Sequence, residues 1–259
     1  MEAAAPDPLG RRLRRVRPRR AGGFCFPGAM TAHPAARPQD DPEARGLPLV
    51  PVLLGLTVTS GIIDAVSFLA LRHVFTANMT GNIVVLGFAA AGAPGFSVPH
   101  TATSLVCFMA GALAGGRLAH RLASCTRRRW ARVALAVEAV LVGTASAVAF
   151  AAPGAAATPY ALIALTAFAM GLRNATVLEL RVSGLTTTVL TRTLTGLIAD
   201  SRAGGGPGEH SPRRAASVLA MLAGATLGAA LVIRRDLGTA LLVAAVITGV
   251  LAAVTSGRE

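Results

Sequence analysis

The sequence predicts an all-α polytopic membrane protein. It reads as about six full spans, two short helices (each a short span or a re-entrant half-helix) and a two-fold internal repeat. Three observations carry this expectation: a shortage of charge, long uncharged apolar windows, and motifs that recur in register in the two halves.

The shortage of charge is large. The 259 residues are 53% hydrophobic and only 14% charged, where a soluble domain carries about 25%. No Asp, Glu, Lys or Arg occurs from His73 to Gly116, from Ala215 to Ile233, or from Leu237 to Gly257. Asp64 is the one ionisable residue between Leu47 and Leu71, and Glu138 the one between Val133 and Leu172. A spanning helix needs roughly 20 mainly apolar residues, and these windows supply several.

The net charge of +13 comes entirely from arginine, since the chain holds no lysine. The arginines cluster at the ends of apolar windows, where cytoplasmic membrane loops collect them. The basic balance is therefore read as membrane topology, with no nucleic-acid partner expected. Cys25, Cys107 and Cys125 are odd in number and form no C-x-x-C pair, so neither a disulfide framework nor a zinc site is expected.

Residues 1–46 form an Arg/Pro-rich tail, with seven arginines in residues 11–20. Such a stretch cannot bury enough apolar surface to order itself. It reads as a polybasic arm on anionic lipid or a cytoplasmic anchor for the first span, unless translation starts at Met30. The membrane domain covers 47–259. Its elements are a helix over 48–71, a polar uncharged stretch at 73–82, a short helix over 83–93 stopped by Pro94, and a helix over 101–121. A basic loop (121–132) and a helix over 133–152 follow. The second half has a helix over 158–179, a Thr-rich stretch (185–196), a short helix ending near Asp200, and helices over 214–233 and 237–255.

The halves correspond as repeat one (47–153) and repeat two (154–257). Gly61-x-x-Asp64-Ala65 matches Gly171-x-x-Asn174-Ala175 at an offset of 110, and Gly111-x-x-x-Gly115 matches Gly224-x-x-x-Gly228 at an offset of 113. Duplicated halves are common in transporters. With the N-terminus inside and the short helices not crossing, the Arg-rich loop 121–132 is cytoplasmic. Each half then has three crossings and the halves are inverted. Arg234 and Arg235 fall outside, against the rule.

Ionisable groups at membrane depth are expensive and mark pathways or structural pairs. Asp64 and Arg173/Asn174 lie at matching depths of two helices and are expected to face a shared centre, as a substrate or proton site or as a structural Asp–Arg pair. Asn78, Thr80 and Asn82 in one polar stretch, with Thr187, Thr188 and Thr191 in the other, are expected to line a substrate or ion pathway. Asn78 or Thr80 also suits the N-cap of the short helix. Gly111, Gly115, Gly224 and Gly228 are read as packing positions. Glu138, Glu179 and Arg192 are expected to be interfacial or paired.

No H-E-x-x-H or G-x-S-x-G motif is present, and a lysine-free chain has no Walker lysine. Five scattered histidines form no ligand cluster. The chain is therefore not expected to be an enzyme or to carry a metal or cofactor.

The strings GIIDAVSFLALRHVFTANMTGNIVVLG (61–87) and AMGLRNATVLELRVSGLTTTVLTRTLTGLIADS (169–201) resemble the YoaK family, bacterial multi-pass membrane proteins built on a domain of unknown function. The resemblance covers roughly 47–255. It departs at Arg192, where a small residue is expected. It implies a membrane location and a repeated helical fold, and no substrate.

The expectation is thus a small-molecule permease of the bacterial cytoplasmic membrane. Its partners would be the lipid bilayer and a small solute, with homo-oligomers open. The rival is a non-transporting membrane scaffold that uses its G-x-x-x-G faces for assembly.

Overall fold

The computed structural model describes residues 49–121, 127–180, 190–199, 205 and 211–255. The Arg/Pro-rich tail, Thr187 and Thr188 lie outside these residues, as do the side chains of Glu179 and Arg192. Eight helices occur among the described residues: α1 (Leu49–Ala70), α2 (Met79–Ala90), α3 (Val98–Arg121), α4 (Arg127–Ala151), α5 (Thr158–Leu180), α6 (Leu190–Ala199), α7 (Ser211–Arg234) and α8 (Leu237–Val254). Six are long and apolar enough to cross a membrane, while α2 is a shorter apolar helix. At 1.5 Å per residue the 12 residues of α2 rise about 18 Å, well short of the hydrocarbon core.

Glycine decides which helices meet. A β-carbon at Gly224 would strike the Val58 carbonyl, and one at Gly228 would lie 2.8 Å from the Ile62 backbone. In the other direction, a β-carbon at Gly61 would lie 2.5 Å from the Met221 carbonyl. So α1 and α7 cross backbone to backbone, and any side chain there would wedge them apart. The crossing of α3 and α5 has the same make-up. A β-carbon at Gly111 would strike the Phe168 carbonyl, one at Gly171 the Phe108 carbonyl, and one at Gly115 would lie 2.9 Å from the Leu172 carbonyl. Each contact of one crossing becomes its counterpart in the other when α1 positions are shifted by 110 and α3 positions by 113. All four glycines read from the sequence as packing positions stand at these two crossings.

The register of contact also gives helix direction. Val58 meets Gly224 and Ile62 meets Gly228, so numbers rise together and α1 runs parallel to α7. By the same argument α3 runs parallel to α5. Helices α4 and α8 are antiparallel, because Glu138 reaches Thr248 while Ser146 donates to the Gly238 carbonyl. Short turns make α5 antiparallel to α4, and α8 antiparallel to α7. Helices α1, α4 and α7 therefore point one way, and α3, α5 and α8 the other. Since α1 opposes α3, the segment containing α2 adds no net crossing, and the same holds for α6 between α5 and α7.

A core of Ile62, Ile63, Val66, Val142, Leu162, Ile163, Met170 and Leu241 fills the centre. Large apolar side chains such as Ile83, Phe88, Met109, Leu113, Leu219 and Leu222 are exposed, as suits a surface turned to acyl chains. Hydroxyl groups on α1 are satisfied within the helix. Thr57, Thr59 and Ser60 donate to the carbonyls of Leu53, Gly55 and Leu56, at 2.8, 3.1 and 3.1 Å.

Candidate functional site

The polar stretch after α1 folds back into the bundle. The chain reverses at Arg72 and His73, both in the left-handed region (φ 61° and 59°). The segment then descends, and the Ala77 N–H donates to Asp64 Oδ1 at 3.3 Å. Asp64 lies seven residues before Leu71, about 10 Å back along α1. Helix α2 starts at that depth and returns the chain to Gly95, whose carbonyl is 3.3 Å from His73 Nδ1. The descent and the return thus meet at one end of the bundle, which makes this a re-entrant segment.

Its sequence explains its shape. Asn78 caps α2 by accepting the Gly81 N–H at 3.2 Å, so the helix begins at Met79 and not near Ile83. A β-carbon at Gly81 would lie 2.8 Å from the Phe75 ring. Asn82, fully buried, accepts the Phe75 N–H at 2.8 Å and donates to the Phe75 carbonyl at 2.5 Å and to Ser104 Oγ at 3.0 Å. Ser104 on α3 also donates to the Phe75 carbonyl, at 2.6 Å. Phe68 stacks on Phe75 with centroids 4.8 Å apart. Irregular backbone inside a membrane protein persists where such partners satisfy it. The hydroxyl of Thr76 is buried and has no hydrogen-bond partner among the described residues.

A charged centre lies beside this segment. Arg173 on α5 is 2% exposed and Glu138 on α4 is 1% exposed. Arg173 Nε donates to Glu138 Oε2 at 2.8 Å and its Nη2 pairs with Oε1. Arg173 Nη1 donates to the Leu56 carbonyl at 3.0 Å and to Ser60 Oγ at 2.7 Å. The Thr248 hydroxyl of α8 lies 3.4 Å from Glu138 Oε1. Four helices thus contribute to one ion-paired cluster, and Asp64 (8% exposed) stands one turn beyond Ser60 on α1. Two-nitrogen pairing of a guanidinium with a carboxylate is among the strongest of hydrogen-bonded arrangements.

Arg173 reaches α1 one turn before Asp64, and the pairing differs from the expected Asp–Arg pair. Arg173 takes Glu138 as its carboxylate, and Asp64 is held by a backbone N–H instead. Glu138 is paired and buried, so the interfacial option for it falls away. Asn174 is half-buried next to Arg173. Of the residues expected to line a path, Asn78 is exposed at its cap, Thr80 is exposed on α2, and Thr191 is exposed on α6. Asn82 uses its amide to hold the re-entrant backbone. Sequence reading missed Ser60, Ser104 and Thr248 as site residues. Glu138 did carry a signal, as the single charge in a long apolar window.

A cleft reaches the ion pair from the end of the bundle where α1 and α4 begin and α5 and α8 end. Val52, Leu53, Leu135 and Val177 form apolar walls, Thr176 and Thr255 add hydroxyls, and Glu138 and Arg173 close it.

A family model described as a protein of unknown function (DUF1275) matches residues 52–254. The UPF0700 transmembrane protein YoaK of Bacillus subtilis (strain 168) is 34% identical over 145 residues, 56% of this chain and 64% of that protein. The chain therefore aligns with a little under two thirds of that relative's length. No solved structure matches.

Proposed function

The chain belongs to the family of proteins of unknown function DUF1275 and is a multi-pass transmembrane protein, and from its geometry we propose that it is a small-molecule permease of the bacterial cytoplasmic membrane. The single observation that carries this reading is the re-entrant segment 74–90, which brings the Ala77 backbone N–H to Asp64 near the Arg173–Glu138 pair. Discontinuous segments that meet ionisable groups midway through a bundle are how transporters present a solute site.

Support comes also from the reading of the chain as an inverted repeat. The α1–α7 and α3–α5 crossings exchange under the offsets of 110 and 113. The α4–α8 crossing maps onto itself: a β-carbon at Gly143 would lie 3.9 Å from that of Ala245, and one at Gly249 would lie 4.0 Å from that of Ala139. Two such halves can rock about a central site and open it to either face. The site itself breaks the symmetry, because Arg173 answers to Ile63 and Asp64 to Asn174. That asymmetry suits a solute that is not itself two-fold symmetric.

The cleft end carries Arg121 and Arg129. We place this end in the cytoplasm by the positive-inside rule. Arg72, Arg234 and Arg235 stand at the other end.

The test is purified protein in lipid vesicles exposed to a mixture of small metabolites, followed by mass analysis of the lumen. Enrichment of a solute over empty vesicles, lost in Asp64→Asn, supports the reading. A lumen identical to that of empty vesicles contradicts it.

A further inference from the structure

Among the described residues two carboxylates lie inside the bundle, and their surroundings differ. Glu138 receives two guanidinium nitrogens and lies beside the Thr248 hydroxyl. Asp64 is almost as deeply buried, yet the hydrogen bond it accepts among the described residues is a single Ala77 N–H at 3.3 Å. Arg173 comes within a turn of Asp64, but its guanidinium is already held by Glu138, Ser60 and the Leu56 carbonyl. An ionised carboxylate so placed lacks the pairing that makes buried charge tolerable.

We infer that Asp64 is a proton-binding site, loaded in this conformation, and that the proton is the coupling ion of the permease. The choice of a proton over a metal cation follows from what touches Asp64. Its hydrogen-bond contact among the described residues is an N–H donor, which offers a metal cation no lone pair. A hard cation needs several oxygen ligands. Among the described residues, no three His, Cys, Asp or Glu side chains gather to hold a metal.

The charged groups around Asp64 are few. From α5 it faces Arg173, and through Arg173 it meets Glu138 of α4. Helix α2 carries no ionisable residue, α3 has its charged or basic groups at the two ends (His100, and Arg117 to Arg121) with the neutral thiol Cys107 between them, and those of α7 are Arg213, Arg214 and Arg234 in its end turns. Loading forms an O–H bond on the carboxylate with a proton from water, and unloading returns it to water. With Arg173 and Glu138 paired throughout, the interior passes between net charge −1 and 0.

The inference rests on the permease reading for what the proton is coupled to, though not for the site itself. Infrared spectroscopy of the full chain in lipid at neutral pH reads the carbonyl stretch of a protonated carboxyl group. The expected result is such a band in the wild type, absent in Asp64→Asn and displaced in Asp64→Glu. The glutamate variant decides the matter if the asparagine variant fails to fold. Absence of the band in the wild type overturns the inference, as does a band unmoved in Asp64→Glu. A protonated Asp64 in a protein that moves no solute would keep the proton site and remove the permease. A transported solute with Asp64 ionised would do the reverse.

Discussion

Arg173 of α5 and Glu138 of α4 are joined by two guanidinium nitrogens on two carboxylate oxygens, with both side chains at least 98% buried. Taking either charge out of water costs several kcal/mol, and the pairing returns that cost only while both partners are present. Arg173→Met alone should therefore destabilise the fold by about 3–5 kcal/mol, because Glu138 is left buried and unpaired. The double change Arg173→Met with Glu138→Leu should recover most of that loss. Thermal unfolding in detergent checks both. Equal losses in the single and the double variant would contradict a mutual pair.

Neighbouring glycines on α3 provide an internal control. A β-carbon at Gly115 would lie 2.8 Å from that of Ala175, whereas one at Gly116 meets nothing within 4 Å. Gly115→Ala should cost about 1–3 kcal/mol through overpacking. Gly116→Ala should be neutral or slightly stabilising. The two melting curves, compared side by side, show whether the α3–α5 crossing is as close as described.

Asn82→Ala should loosen the re-entrant segment. It leaves the Phe75 N–H unpaired, since Ser104 can serve only the Phe75 carbonyl. The cost is about 1–3 kcal/mol for a buried donor without a partner. Faster thiol labelling of a cysteine at Thr76 in the Asn82→Ala background is the expected outcome, and an unchanged rate would contradict it.

Asp236 caps α8 in the turn after α7. The Thr239 N–H and hydroxyl donate to its carboxylate at 2.7 and 2.8 Å and hold it below the usual carboxylate range. A folded-state value below the unfolded one of about 3.9 gives stability that is present above that pH. It is lost as pH falls through the lower, folded value. The difference in melting temperature between wild type and Asp236→Ala should be constant at neutral pH and shrink below about pH 4. A constant difference down to pH 2 would contradict the cap.

Much of the fold was legible because its causes are local. Charge-free windows gave the six long helices, and the four G-x-x-x-G glycines gave close crossings before their partners were known. Asn78 was one of two candidate caps, and choosing it moved the start of α2 from Ile83 to Met79. The candidate site was legible only in part. Asp64, Arg173 and Glu138 stood out as charges in apolar runs, but which acid meets Arg173 depends on the angle at which α4 and α5 pack. The placing of α4 also depends on long-range contacts with α8, such as Ser146 with Gly238. Asn82 looked like a pathway residue because a polar side chain in an apolar stretch has the same signature whether it meets solute or backbone. Ser104, buried on α3 against Phe75, had no signal that set it apart from any other serine.

The central claim is that the six long helices alternate in direction while α2 re-enters beside Asp64 and near the Arg173–Glu138 pair. Single cysteines at Pro94, Arg121, Ala156 and Pro212, in a background lacking Cys25, Cys107 and Cys125, test it by labelling from one side of intact cells. The account predicts that Pro94 and Ala156 label together from one side, and Arg121 and Pro212 together from the other. Labelling that sets Arg121 alone against the other three would mean that α2 and α6 cross the membrane, and would contradict it.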